Sequence, residues 1–413
     1  MKEAPHMRAG FGKSDLTPPL GVELTGYGYY LNRCALSVLD PLYARALLLE
    51  SGDTRVLIIS CELLGLNRHI CADVAAYAAK YGIQPDHLII VSVHTHTGPS
   101  VKYHEGCGYV DAAYEATVAG RINLAVDAAF ADLADVINLS HMCEPLPGDH
   151  IYNRADPDGP VDRTVRGFAI ERRNASPIAA VSTACHCVFR GRDTAVSADL
   201  AGEINRFMKD EGYESLFLNG LCGDIDPWKP SPERLTECAK IVTDVFLSSK
   251  SDLPLTLEAG AIPYVLRLTP VTREDIISAA KTAVERAGGP QEPAARVALI
   301  WEKEMLEKLD RLSPEEPISV KYVLLGGVPV IALPFEGFTR IGMDIREIIG
   351  RPDALALGCA EELLGYLPTK DDIKRGAYAA LESTFLYKRL PVVPGEAERI
   401  GEEMGLALKR ILA

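Results

Sequence analysis

The chain has 413 residues, with 57 Asp and Glu against 43 Lys and Arg, a formal charge of −14, and 47% hydrophobic residues. There is apolar material for one large core, and the acidic balance argues against nucleic acid or an anionic membrane as partner. No run reaches the ~18–20 apolar residues that span a bilayer, and residues 1–6 carry no signal-peptide core. The ten cysteines are scattered, so reduced thiols and a cytoplasmic location are expected.

Along the chain, apolar runs alternate with amphipathic segments. A buried strand is predicted over 55–60 and a helix over 67–81, and the pair recurs at 87–93 and 112–132. This alternation predicts an α/β fold, a layered mixed β-sheet with helices on its faces. Segments 165–172 and 177–183 read as strands paired across the polar turn Arg173-Asn174-Ala175-Ser176. Helices follow over 200–211 and 232–248, with a short strand over 215–218 between them. Two charged helices, 272–287 and 294–312, flank the break Gly288-Gly289-Pro290. Strands at 319–325 and 329–333 meet at Gly326-Gly327, a hairpin signal, and a last helix covers about 394–411. No linker divides the chain, so one domain over 1–413 is expected, with a helical insertion at about 272–312.

The strongest chemical signal is Val91-Ser92-Val93-His94-Thr95-His96-Thr97-Gly98-Pro99. Residues two apart on a strand share a face, so both imidazoles can enter one pocket at the strand end. Neutral imidazole is a common ligand for divalent metals. A capped core histidine beside a surface one fits the same pattern. His186 follows another apolar run, in Thr183-Ala184-Cys185-His186-Cys187. In Asn219-Gly220-Leu221-Cys222-Gly223-Asp224-Ile225-Asp226-Pro227, two glycines allow close backbone approach and two carboxylates alternate. That segment reads as a tight turn with Asx capping or as an acid beside a metal. Glu336, in Leu333-Pro334-Phe335-Glu336-Gly337-Phe338, stands among apolar neighbours, where a free carboxylate is costly and a metal would offset the cost. It also reads as a residue favouring the start of the next helix. Ligand-type residues thus gather at several strand ends, which weighs more than any one motif.

These segments resemble the neutral/alkaline ceramidase family, specifically its catalytic N-terminal domain. The likeness rests on Gly12-Lys13-Ser14-Asp15-Leu16-Thr17-Pro18-Pro19, Asp40-Pro41-Leu42-Tyr43-Ala44-Arg45-Ala46 and His94-Thr95-His96-Thr97-Gly98-Pro99. Tyr152-Asn153-Arg154, Gly159-Pro160-Val161-Asp162 and Gly365-Tyr366-Leu367-Pro368-Thr369 extend it. The resemblance implies one zinc ion, with manganese or iron as alternatives, held by His94, His186, Glu336 and Tyr366. It moves His96 to the substrate side and implies hydrolysis of an amide (N-acyl) bond. Two departures stand out. Asp226 occupies the place of the family's catalytic serine, and Leu363 that of a second tyrosine. The immunoglobulin-like C-terminal domain of full ceramidases is not expected here. A soluble small molecule is therefore expected as substrate rather than membrane ceramide, with His96 and Asp226 catalytic and Asn153 and Arg154 binding the substrate. An esterase, lactonase or isomerase on the same site, or a binding protein without catalysis, are the alternatives; the oligomeric state is not readable.

Overall fold

In the computed structural model the described residues are 6–413 except Tyr30; residues 1–5, within the stretch expected to lack a signal-peptide core, lie outside them. Many strands are apolar on both faces, and the reason is that both faces are covered. In Met7–Asp15, the side chains of Met7, Ala9 and Phe11 enter one core while Gly10 and Gly12 lie under the helix Ala112–Ala131. In Thr54–Cys61, Val56 and Ile58 point to the first core and Leu57 and Ile59 to the second. This period of two sorts the side chains between layers.

The main sheet orders its strands Glu214–Phe217, Ala175–Ser182, Thr164–Arg172, Ala134–Pro145, Met7–Asp15, Tyr43–Ser51, Thr54–Cys61 and Leu88–Ser92. The pairs at its two ends are parallel and those between are antiparallel, so the sheet is mixed, as expected. A second sheet orders Leu257–Arg267, Glu315–Leu325, Val328–Ala332 and Leu355–Leu357. One apolar cluster joins Phe11, Leu47, Ile58 and Ile170 of the first sheet to Val323, Leu325, Val330 and Leu355 of the second. The two sheets therefore pack face to face. Helices Arg68–Ala78, Ala112–Ala131, Asp199–Asp210 and Pro232–Ser248 cover the outer face of the larger sheet. Helices Thr339–Ile349 and Glu396–Ile411 cover that of the smaller. The result is four layers, α/β/β/α. The helices were expected on the sheet faces; the sheet–sheet interface is the addition.

The interval 272–312 holds helices Arg273–Ala287 and Pro293–Lys308, set between two strands paired from Leu257↔Leu325 to Arg267↔Glu315. The first starts with a Thr272–Asp275 capping box. The Gly326-Gly327 hairpin forms with φ of 60° and 78°, a two-residue turn with both central residues at positive φ, which glycine adopts without strain. The polar turn after Arg172 is shorter than read: Arg172 pairs with Ala175, and Asn174 takes a φ of 56°.

The helix over Met7–Asp15 sits unusually close. A Cβ on Gly12 would lie 1.9 Å from the Ala125 carbonyl oxygen and 2.5 Å from the Ala129 nitrogen. Backbone cannot swing aside as a side chain can, so helix and sheet would have to separate. Gly12→Ala is expected to destabilise the fold by about 1–3 kcal/mol or more, read from the midpoint of urea unfolding. An unchanged midpoint would refute this packing.

Candidate metal centre

The loops that follow strands Leu88–Ser92, Ala175–Ser182, Glu214–Phe217 and Val328–Ala332 meet in one place. His94 follows the strand Leu88–Ser92, but it does not continue it: its φ is 67°. The strand alternation used to place both rings therefore gives the right neighbours for the wrong reason. A left-handed residue turns His94, and the rings of His94 and His96 meet at 4.9 Å and 75°. The turn is held by its backbone N–H donating to Leu63 O at 2.9 Å. His94 Nδ1 donates to Leu64 O at 2.8 Å. A carbonyl can only accept, so in the neutral ring Nε2 keeps its lone pair and turns it inward. His186, in the loop after Ala175–Ser182, repeats the device: Nδ1 faces Ile225 O at 3.0 Å.

The two Nε2 atoms converge on one carboxylate oxygen. Glu336 Oε2 lies 3.1 Å from His94 Nε2, without hydrogen-bond alignment, and 3.3 Å from His186 Nε2. Burial alone would raise the Glu336 pKa; positive charge on the facing His94 and His186 rings outweighs it and holds the carboxyl well below its usual range, the part a bound cation takes over when both rings are neutral. Two inward lone pairs and a carboxylate oxygen form a donor set that a cation satisfies. Ligand atoms on a tetrahedral zinc with ~2.0–2.1 Å bonds sit about 3.3 Å apart, so the spacing fits such an ion. Ring nitrogens of His94, His96 and His186 all lie within 4.8 Å of one another, and all three residues are buried.

The backbone brings Glu336 and Tyr366 together by parallel pairing of Glu336–Gly337 with Tyr366–Leu367. The Tyr366 hydroxyl accepts from Arg154 Nη2 at 2.8 Å and lies in hydrogen-bond reach of Glu336. Tyr387, at the end of helix Glu382–Tyr387, donates its hydroxyl to Glu336 Oε1 and leaves Oε2 for the histidines. Sequence reasoning missed Tyr387, because nothing in Phe385-Leu386-Tyr387 marks the one inward hydroxyl. Leu363, in the place of a second tyrosine, is apolar filling beside Leu64, Cys359 and Tyr387.

Asn219–Pro227 closes the other side. A Cβ on Gly223 would lie 2.3 Å from Glu336 O, so only glycine lets this loop approach the carboxylate segment. Asp224 accepts from Thr339 N, Thr339 Oγ1 and Asn153 Nδ2, each at 2.8 Å, and so pins the start of helix Thr339–Ile349. Asn153 also donates to Pro160 O and accepts from the Ala155 and Asp156 N–H groups, so its amide is committed to the loop. Arg154 lies inside the centre: Nη2 donates to Gly223 O at 3.0 Å, and Nη1 is 3.3 Å from Asp226 Oδ1. Asp226 Oδ1 is also 3.7 Å from His186 Nδ1 and has no hydrogen-bond partner among the described residues. His96 has none on either ring nitrogen. Burial, and then the neighbouring His94 and His186, push its pKa well below the usual imidazole value.

Fold and site together define a four-layered α/β protein with a buried histidine–carboxylate centre able to hold a metal ion. No protein-family profile and no curated protein sequence matches the chain. Among solved structures, the chain has the fold of neutral ceramidase. It resembles neutral ceramidase from Pseudomonas aeruginosa with a TM-score of 0.76 and 16% identity, over 99% of this chain and 75% of that one. It resembles a ceramidase complexed with C2 with a TM-score of 0.75 and 14% identity, over 98% and 76%. No helix among the described residues is long and apolar enough to cross a membrane.

Proposed function

We propose that this chain is a zinc-dependent amidohydrolase, cleaving the N-acyl bond of a small, soluble substrate. The observation that carries the reading is the convergence of His94 Nε2 and His186 Nε2 on Glu336 Oε2. His94, His186 and Glu336 would hold the ion, with the Tyr366 hydroxyl as fourth donor. Such an ion polarises a substrate carbonyl and lowers the pKa of bound water to ~7. His96, kept neutral, donates an N–H to the oxygen on which negative charge develops. Asp226 Oδ1, free of hydrogen-bond partners, takes the proton of the attacking water. Arg154 orients Asp226 and Tyr366 and offers its guanidinium to an anionic group of the substrate. Asn153 acts by fixing Asp224 and the loop that carries Arg154. The ten free thiols fit the reducing compartment expected for the chain.

The test is elemental analysis of the purified protein together with a panel of N-acyl amides and matched esters. About one bound zinc per chain and turnover of an amide are expected. Hydrolysis of esters alone would replace the amidase reading with an esterase, and no turnover with metal bound would leave a binding protein. Asp226→Asn keeps the size of the side chain but cannot accept the proton, and is expected to lower kcat by about 10²–10⁴-fold with metal content unchanged. Full activity in that variant would remove Asp226 from the mechanism.

A further inference from the structure

Strands Ile151–Asn153 and Ile225–Pro227 form a small antiparallel ribbon in which Tyr152 stands opposite Asp226. Burial alternates along it. Ile151, Asn153, Ile225 and Pro227 are buried; Tyr152, Arg154 and Asp226 are half-buried, and Trp228 is exposed. Side chains opposite one another, or two apart, lie on one face of such a ribbon. Tyr152, Arg154, Asp226 and Trp228 therefore form a single surface. At one end it is the reaction centre, where Arg154 touches Tyr366 and faces His186 Nε2 at 3.3 Å. At the other end it opens to solvent at Trp228.

Single exposed apolar side chains are common and mean little. Trp228 differs because of what it shares a surface with. Its indole is 42% exposed and meets the Tyr152 ring at 5.3 Å and 78°. Lys229 Nζ is 5.7 Å from the ring centroid, near the outer limit of cation–π contact. The second tryptophan, Trp301, is buried and donates its ring N–H to Arg389 O. Ligand sites pair aromatic walls with a few placed polar groups, and this ribbon face has both.

We propose that Tyr152 and Trp228 form the outer subsite of the reaction centre and take an aromatic ring of the substrate. Trp228 stands two strand steps of about 3.3 Å, roughly 7 Å, beyond Asp226, so a substrate held at Asp226 reaches the Tyr152–Trp228 face with a group of about that length. That span matches an aromatic side chain on the carbon bearing the acylated nitrogen. This inference rests on the amidohydrolase reading for the position of the scissile bond, but its test does not need turnover.

The probes are N-methanesulfonyl-phenylalanine and N-methanesulfonyl-alanine, sulfonamides that an amide hydrolase does not cleave. Calorimetric titration of the full-length, metal-loaded protein is expected to show the phenyl compound binding about two- to tenfold tighter, the range of one aromatic contact. Trp228→Leu is expected to erase that advantage, and the phenyl compound is expected to change tryptophan emission saturably in the wild type only. Equal affinity of the two compounds, no binding by either at millimolar concentration, or an advantage retained in Trp228→Leu would each overturn the subsite. A phenyl preference in a protein that hydrolyses no amide would sink the catalytic reading alone and leave the subsite standing.

Discussion

His186→Ala is expected to leave the purified protein without stoichiometric metal and to lower kcat/KM by about 10³-fold or more, roughly 4 kcal/mol of transition-state stabilisation. The ring is fully buried, so its Nε2 has no water to turn to. Its tautomer is set by the Ile225 carbonyl, and its inward nitrogen stands 3.3 Å from Glu336 Oε2. Removing it leaves His94 and Glu336, 3.1 Å apart, with only the Tyr366 hydroxyl, a weak neutral donor, beside them, a set expected to lose the ion to water. Because a buried ring is lost, the variant is compared with His186→Gln, which keeps most of the volume. Both are expected to lose metal while keeping the wild-type circular dichroism spectrum. Unit metal stoichiometry in either folded variant would contradict the assignment of His186.

Glu62→Leu is expected to destabilise the fold by about 3–5 kcal/mol, the cost of leaving a buried charge unpaired. Glu62 is fully buried and its carboxylate is fully used. It accepts from Arg45 Nε at 2.7 Å, Tyr43 N at 2.7 Å and Asn205 Nδ2 at 3.1 Å. Arg45 is itself buried, so losing Glu62 strands a guanidinium rather than returning it to water. The double variant Glu62→Leu/Arg45→Met removes both charges and is expected to recover part of the loss, the part due to the stranded charge. Guanidinium unfolding of the wild type and the two variants measures this; a double variant less stable than the single one would refute it. The same carboxylate anchors the turn whose next two carbonyls, Leu63 O and Leu64 O, orient His94. Glu62→Leu is therefore also expected to weaken metal retention without touching the centre.

Local rules made much of the fold readable. Strand and helix alternation, the Gly326-Gly327 hairpin and the helix break at Gly288-Gly289-Pro290 depend on neighbours along the chain. So did the presence of His94, His96, His186, Asp226 and Glu336 after apolar runs, which the structure gathers at one place. The strands Ala134–Pro145 and Leu257–Arg267 were not read, since their mixture of buried, half-buried and exposed positions breaks the apolar pattern.

The sequence by itself determined the segment types and the stock of ligand-type side chains, because periodicity and turn chemistry act over a few residues. Tertiary structure alone decided that two sheets pack face to face, since a strand apolar on both sides does not say what covers each side. It also decided that His94 turns inward through a positive φ, that Tyr387 reaches Glu336, and that Asn153 serves its own loop while Arg154 enters the centre. Glu336 meets Tyr387 across 51 residues and His186 across 150, and only the assembled layers bring those groups within reach.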